Sequence, residues 1–320
     1  MRAVRVVLVA ALAAGPVVVA ACGSRTGLLG PVTSDASSVP DAASDVAEEA
    51  DVLEEPDADV VFPDGPDICP DAGSTLIYVI TESNDLFSFY PPTLAFNPIG
   101  PVSCPGVVSG AVTPFSMAVD RRGIGLSVFS DGTLHQVDMA TGACKDTTFQ
   151  PDQLGFLTFC MGYAANSGDG GDAGETLYVA ECDVGQTPKP NSQGLAILDT
   201  TLLTLSYVAP FSPGIPGPEL TGTGDGRLFG FYTNTAGSGS HIVQIDRGTG
   251  ALLQDYPLLV GTPEDGYAFA FWGGVFWVFT SSTNVGTIVT RFDPTTGSET
   301  NVATMPEGVV GAGVSTCAPM

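Results

Sequence analysis

Apolar residues follow three regimes along this 320-residue chain. From Val6 to Ala21 they are nearly continuous, and from 31 to 74 they are sparse and keep no sustained period. From 75 to 320 they come in short runs with abundant Gly between them and no helical periodicity. Runs such as LFSFY (86–90), TLHQV (133–137), GLAIL (194–198), HIVQI (241–245) and TIVTRF (287–292) read as strands. The most apolar stretch, GYAFAFWGGVFWVFT (266–280), is broken by Gly273-Gly274. Its aromatic alternation reads as two buried strands joined by a tight turn rather than a membrane span.

Each of the five runs leads into a related segment. These are FYPPTL (89–94), VDMATG (137–142), LDTTLL (198–203), IDRGTG (245–250) and FDPTTG (292–297). Asp and Thr side chains can accept backbone N–H groups two residues on, and Gly supplies positive φ, so the segment is a turn. The second residues, Tyr90, Asp138, Asp199, Asp246 and Asp293, recur at intervals of about 48 residues, apart from one interval longer by about fourteen. The long interval holds two polar insertions, ANSGDGGDAGE (165–175) and GQTPKPNSQG (185–194), whose surplus is too small to hide a further repeat.

A second pattern keeps the same period. FSMAVD (115–120), FCMGYA (159–164), ELTGTG (219–224), YAFAFW (267–272) and VGAGVS (310–315) align without gaps. Their fourth residues, Ala118, Gly162, Gly222, Ala270 and Gly313, are all small, as expected where strands crowd an axis. The first four are each followed by a strongly apolar strand: GLSVFS, TLYVAE, RLFGFY and VFWVFT. The fifth is followed only by Thr316 to Met320, and its missing partner is TLIYVIT (75–81) at the other end of the domain.

With these repeats, residues 75–320 resemble a β-propeller, and the D-x-x-T-G turn is similar to that of quinoprotein-type bacterial propeller repeats. The resemblance implies an all-β fold of five four-stranded antiparallel blades. It also implies that the C-terminal strand completes the first blade. It implies a fold and not an activity.

The residues before this domain read differently. Arg2 and Arg5 precede the apolar run, as in a signal peptide over residues 1–21. Val19-Ala20-Ala21-Cys22 then resembles the bacterial lipobox. That resemblance implies cleavage before Cys22, a lipidated new N-terminus and attachment to the membrane through acyl chains. Gly23 in place of Asp implies sorting to the outer membrane or cell surface. Residues 22–74 follow as a linker in which 31–74 hold thirteen acidic and no basic side chains. Such a segment buries too little apolar area to offset chain entropy and reads as a disordered tether. The whole chain carries 35 acidic and 10 basic residues, a formal charge of −25, which argues against nucleic-acid binding.

Six cysteines remain after Cys22, an even number that suggests disulfides in an exported chain. Cys317 ends the inner strand of the closing blade and Cys69 precedes the neighbouring strand, so Cys69–Cys317 would lock the ring. Cys160 and Cys182 lie on adjacent strands of the third blade, and Cys104–Cys144 is left by elimination. No C-x-x-C pair occurs, and His135 and His241 lack ligand spacing, so no structural zinc site is expected.

Candidate chemistry is sparse, and no catalytic residue is assigned. Asp120, Asp225 and Trp272 fall at the ends of inner strands and are candidate ligand-binding residues, although Asp120 and Asp225 also suit plain hairpin turns. Glu219 lies on an inner strand. Asp169, Asp172 and Glu175 offer a weak calcium site in a glycine-rich insertion, and no other cofactor is expected. Two function classes fit: a monomeric, tethered module that binds a protein or glycan, or a propeller enzyme acting on a carbohydrate or other small substrate. A structural surface lipoprotein without a discrete ligand is a third. The small inner-strand residues favour the binding module over the enzyme.

Overall fold

A computed structural model describes residues 69, 73, 75–107, 110–166, 174–182, 192–234, 239–261 and 265–320, all within the unit Asp57–Met320. Cys22 and the expected signal peptide lie outside the described residues, as do Asp169, Asp172 and nearly all of the acidic linker.

The described chain forms twenty strands in five antiparallel sheets of four. Blade 1 takes β1 (Ile77–Thr81), β2 (Asp85–Tyr90) and β3 (Ala95–Pro101) from one end of the domain. Blade 2 contains β4 (Pro114–Val119), β5 (Ile124–Phe129), β6 (Leu134–Asp138) and β7 (Cys144–Asp146). Blade 3 contains β8 (Phe159–Ala165), β9 (Glu175–Glu181), β10 (Leu195–Asp199) and β11 (Thr204–Ala209). Blade 4 contains β12 (Glu219–Gly222), β13 (Leu228–Thr233), β14 (Ser240–Ile245) and β15 (Leu252–Leu258). Blade 5 contains β16 (Gly266–Trp272), β17 (Val275–Ser282), β18 (Gly286–Asp293) and β19 (Ser298–Met305). The last strand, β20 (Val309–Val314), pairs antiparallel with β1 and completes blade 1. This is the five-bladed propeller expected from the repeats, closed by its own C-terminus.

The inner strands β20, β4, β8, β12 and β16 touch one another in a ring. They run side by side in one direction, and the small residues decide how closely. A Cβ at Gly162 of β8 would lie 2.6 Å from the Leu220 carbonyl oxygen of β12, and one at Gly313 of β20 would lie 2.7 Å from Cγ2 of Val119. Side chains of ordinary size would force the ring open.

Alternation along each strand then sends apolar groups into both neighbouring clefts. In β13, Phe229 and Phe231 face blade 5, whereas Leu228 and Tyr232 face blade 3. Five buried clusters result, one at each blade-to-blade junction.

The third-to-fourth strand turns follow the expected chemistry. The Asp138 carboxylate accepts N–H groups of Ala140 and Thr141 at 2.8 and 3.0 Å. Asp199 accepts those of Thr201 and Leu202 at 2.9 and 2.8 Å. Asp246 accepts those of Gly248 and Thr249 at 3.0 and 2.9 Å. The fifth turn residue has φ +74°, +67° and +69° at Gly142, Gly250 and Gly297. Where the motif decays to Leu94 and Leu203, φ is still +57° and +54°. The turn geometry therefore persists without the glycine that makes it easy.

All three expected disulfides are present, Cys69–Cys317, Cys104–Cys144 and Cys160–Cys182. The first spans 248 residues and the second ties blade 1 to blade 2.

Candidate functional site

The parallel inner strands give the axis a leading and a trailing end, and polar side chains gather at both. At the leading end Ser116 of β4 donates to the Glu219 carboxyl of β12, with Oγ at 2.8 and 3.0 Å from its two oxygens. The same hydroxyl accepts the Met161 N–H of β8 at 3.2 Å. One hydroxyl thus joins three consecutive inner strands. Glu219 is 2 % exposed, and burial pushes its carboxyl well above the usual range despite hydrogen bonds from Ser116 and the Leu220 N–H. The Tyr267 phenol of β16 is raised too, by burial first and by the nearby Glu219 second.

At the trailing end Arg121, Glu175 and Thr316 come from three blades. Arg121 Nε donates to Thr316 Oγ1 at 2.7 Å, and the Arg121 backbone N–H donates to Glu175 Oε1 at 2.9 Å. Thr316 in turn donates to Glu175 Oε2 at 2.8 Å. Burial raises the Glu175 carboxyl to about 7, against the lowering effect of those two bonds. The C-terminal tail passes over this end, where Pro319 accepts the Gly273 N–H at 2.7 Å.

The candidate ligand-binding residues Asp120, Asp225 and Trp272 also occupy the trailing end, and each has partners within the fold. Asp120 accepts the N–H groups of Arg122 and Ile124, both at 2.9 Å, and pairs with the Arg122 guanidinium at 2.7 Å. Asp225 pairs with Arg227 at 2.8 Å and accepts the Thr223 hydroxyl. Burial would raise Asp225, but these bonds outweigh it and hold the carboxyl below its ordinary range. Trp272 donates to the Thr75 carbonyl at 2.8 Å and meets Tyr90 edge-on. Glu219 is at the other end of the ring. Of the calcium candidates only Glu175 is described, and the Arg121–Thr316 pair engages it.

Sequence reasoning passed over Ser116, Arg121 and Thr316, none of which carries a motif. It paired Cys104 with Cys144 but left His135 apart from them, although the ligand atoms of all three lie within 4.8 Å of one another. Burial lowers the His135 imidazole, and Asp146 opposes that effect.

No family model matches this chain. No curated protein matches it either. Among solved structures it is similar to the hydrazine synthase of Kuenenia stuttgartiensis, at 13% identity over 77% of this chain and 68% of that one, with a TM-score of 0.39. It is similar to BamB from Moraxella catarrhalis at 16% identity over 76% of this chain and 64% of BamB, with a TM-score of 0.30. The Dos1 propeller is 10% identical over 78% of this chain and 72% of its own, with a TM-score of 0.40. These likenesses are distant, and the fold rests on the five sheets themselves.

Proposed function

We propose that this protein is a lipid-anchored, outer-membrane propeller that binds a protein partner through the outer edge of blade 3. The anchor rests on the charged and apolar N-terminal segments and on Cys22, and the acidic segment serves as the tether. One surface carries the binding reading. Leu154, Leu202 and Tyr207 are all exposed there, Leu202 to 70 %.

Hydrogen bonds hold this surface together. Gln153 donates to the Leu203 carbonyl at 3.0 Å and accepts the Leu205 N–H at 2.9 Å. Gln193 donates to the Gly155 carbonyl at 3.2 Å and accepts the Tyr207 hydroxyl at 3.0 Å. Asp152, Leu154 and Leu203 have φ +64°, +58° and +54°, conformations that side chains avoid unless their surroundings fix them. A fixed apolar group facing water is what an interface anchor needs. The partner is a protein with a complementary apolar patch. Glycoside hydrolysis, by contrast, calls for two free carboxylates across one bond, and at the trailing end Asp120 and Asp225 are paired with Arg122 and Arg227 while Thr316 and the Arg121 N–H engage Glu175.

The test is photocrosslinking in intact cells from Leu202, with Thr300 on the outer strand of blade 5 as the control. The expected result is a defined adduct from Leu202 that disappears with Leu154→Asp. Equal adducts from both positions, or none from Leu202, would sink the proposal. Cys22→Ala should release the protein from membranes, and continued partitioning would remove the anchor.

A further inference from the structure

We propose that Cys104, His135 and Cys144 form a thiolate–imidazole site for Zn²⁺ once the Cys104–Cys144 disulfide is reduced. The residues come from three places. Cys104 follows β3 in blade 1, His135 lies on β6, and Cys144 opens β7 in blade 2. Their ligand atoms all lie within 4.8 Å of one another, and all three residues are buried. Two thiolates and one imidazole are a donor set that zinc accepts, with the fourth position left to water.

His135 supplies the second, independent observation. It is 4 % exposed, and its Nδ1 is buried without a hydrogen bond. Asp146 Oδ1 lies 3.0 Å from that nitrogen, but the approach misses hydrogen-bonding geometry. Nε2 is engaged by Thr133 Oγ1 at 2.9 Å, so Nδ1 keeps a lone pair with no use in the oxidised protein. A buried polar atom left without a partner calls for an explanation, and a cation between the imidazole and two sulfurs provides one. Thr133 Oγ1, which holds the opposite ring nitrogen Nε2 at 2.9 Å, would orient the ring as second-shell acceptors do around zinc-bound histidines.

The chemistry balances. A dithiol gives two electrons and two protons to the disulfide, becomes a disulfide itself, and leaves thiols on Cys104 and Cys144. Zn²⁺ then displaces both protons and binds the thiolates. The site would exchange one link between blades 1 and 2 for another, so the junction stays closed in both redox states.

The test is titration of the full-length chain with Zn²⁺ and with Co²⁺, whose thiolate charge-transfer absorption reports sulfur ligation. A phosphine reductant avoids competition for the metal. One equivalent should bind to the reduced chain and to reduced Cys160→Ser/Cys182→Ser, and the thiolate band should vanish in Cys104→Ser/Cys144→Ser. His135→Ala should weaken binding by more than about tenfold. If the reduced chain unfolds, Cys104→Ser decides the matter without any reductant, because it frees the Cys144 thiol and leaves the other two disulfides intact. That variant should bind Co²⁺ through sulfur and lose it when His135→Ala is added. A band insensitive to His135→Ala, or a folded protein with free Cys144 that binds no metal, would overturn the site.

Discussion

Ser116 and Glu219 lie 103 residues apart, yet one hydroxyl and one carboxyl hold the leading end of the ring. Ser116→Ala leaves both the Glu219 carboxyl and the Met161 N–H buried with a bond missing, and should cost about 2–3 kcal/mol in a urea melt. Glu219→Gln keeps an acceptor for Ser116 and removes an acid whose ionised form burial opposes, so at neutral pH it should cost less. A larger loss from the amide than from the alanine would mean that Glu219 is stabilised as an anion. Glu175 makes the same argument quantitative at the trailing end. Its folded pKa is raised, so the folded state holds a proton that the unfolded chain has released. Its contribution is full below the unfolded value of 4.5 and is lost as pH rises toward about 7. Relative to Glu175→Gln, the natural protein should therefore lose up to about 3 kcal/mol between pH 4.5 and 7 and nothing further above that. Melts of both proteins across that range check it, and parallel curves would show that Glu175 ionises normally.

At the scale of elements, the repeat unit was legible because two of its positions are fixed by backbone geometry. Small residues mark where inner strands meet, and the fifth turn residue marks a left-handed φ. Gly222→Ala would put a methyl group into the Tyr163 carbonyl and the Ala164 backbone of the adjacent inner strand. Neither can give way without opening the ring, so the variant should lose several kcal/mol or fail to fold. The turn position is open to improvement. Leu94 holds φ +57° at 36% exposure, where Gly297 in the equivalent turn holds φ +69°. Leu94→Gly should raise stability by about 1 kcal/mol, and Gly297→Ala should lower it by a similar amount. Equal effects of one sign would mean that the two turns are not equivalent. The side-chain clusters were not legible in this way. Ser116 and Glu219 belong to blades 2 and 4, and Cys104, His135 and Cys144 to a loop and two outer strands. Their proximity follows from ring closure and β-register, which no local spacing encodes. Asp120 and Asp225 were visible for the opposite reason, since turn chemistry is local, and the structure engages both in their own hairpins.

For the whole molecule, the decisive event is closure, in which β20 must find β1 after more than 200 intervening residues. The cost is entropy, and the Cys69–Cys317 bridge removes it from the unfolded state across a separation of 248 residues. In the chain-entropy model a loop of that size contributes roughly 5 kcal/mol, against roughly 3 kcal/mol for the 22-residue separation of Cys160–Cys182. Replacing both members of each pair by Ser should therefore destabilise the ring-closing variant more, by about 2 kcal/mol, when the two are unfolded side by side in urea. The difference should appear mainly in the midpoint. It should also appear as freer hydrogen exchange at β1 and β20 than at the strands of blades 3 and 4, because the seam is the one junction whose two sides come from opposite ends of the domain. If the two variants unfold at one midpoint and the seam stays as protected as blade 4, then packing of β20 against β4 and β16 closes the ring, and the covalent bond is incidental to it.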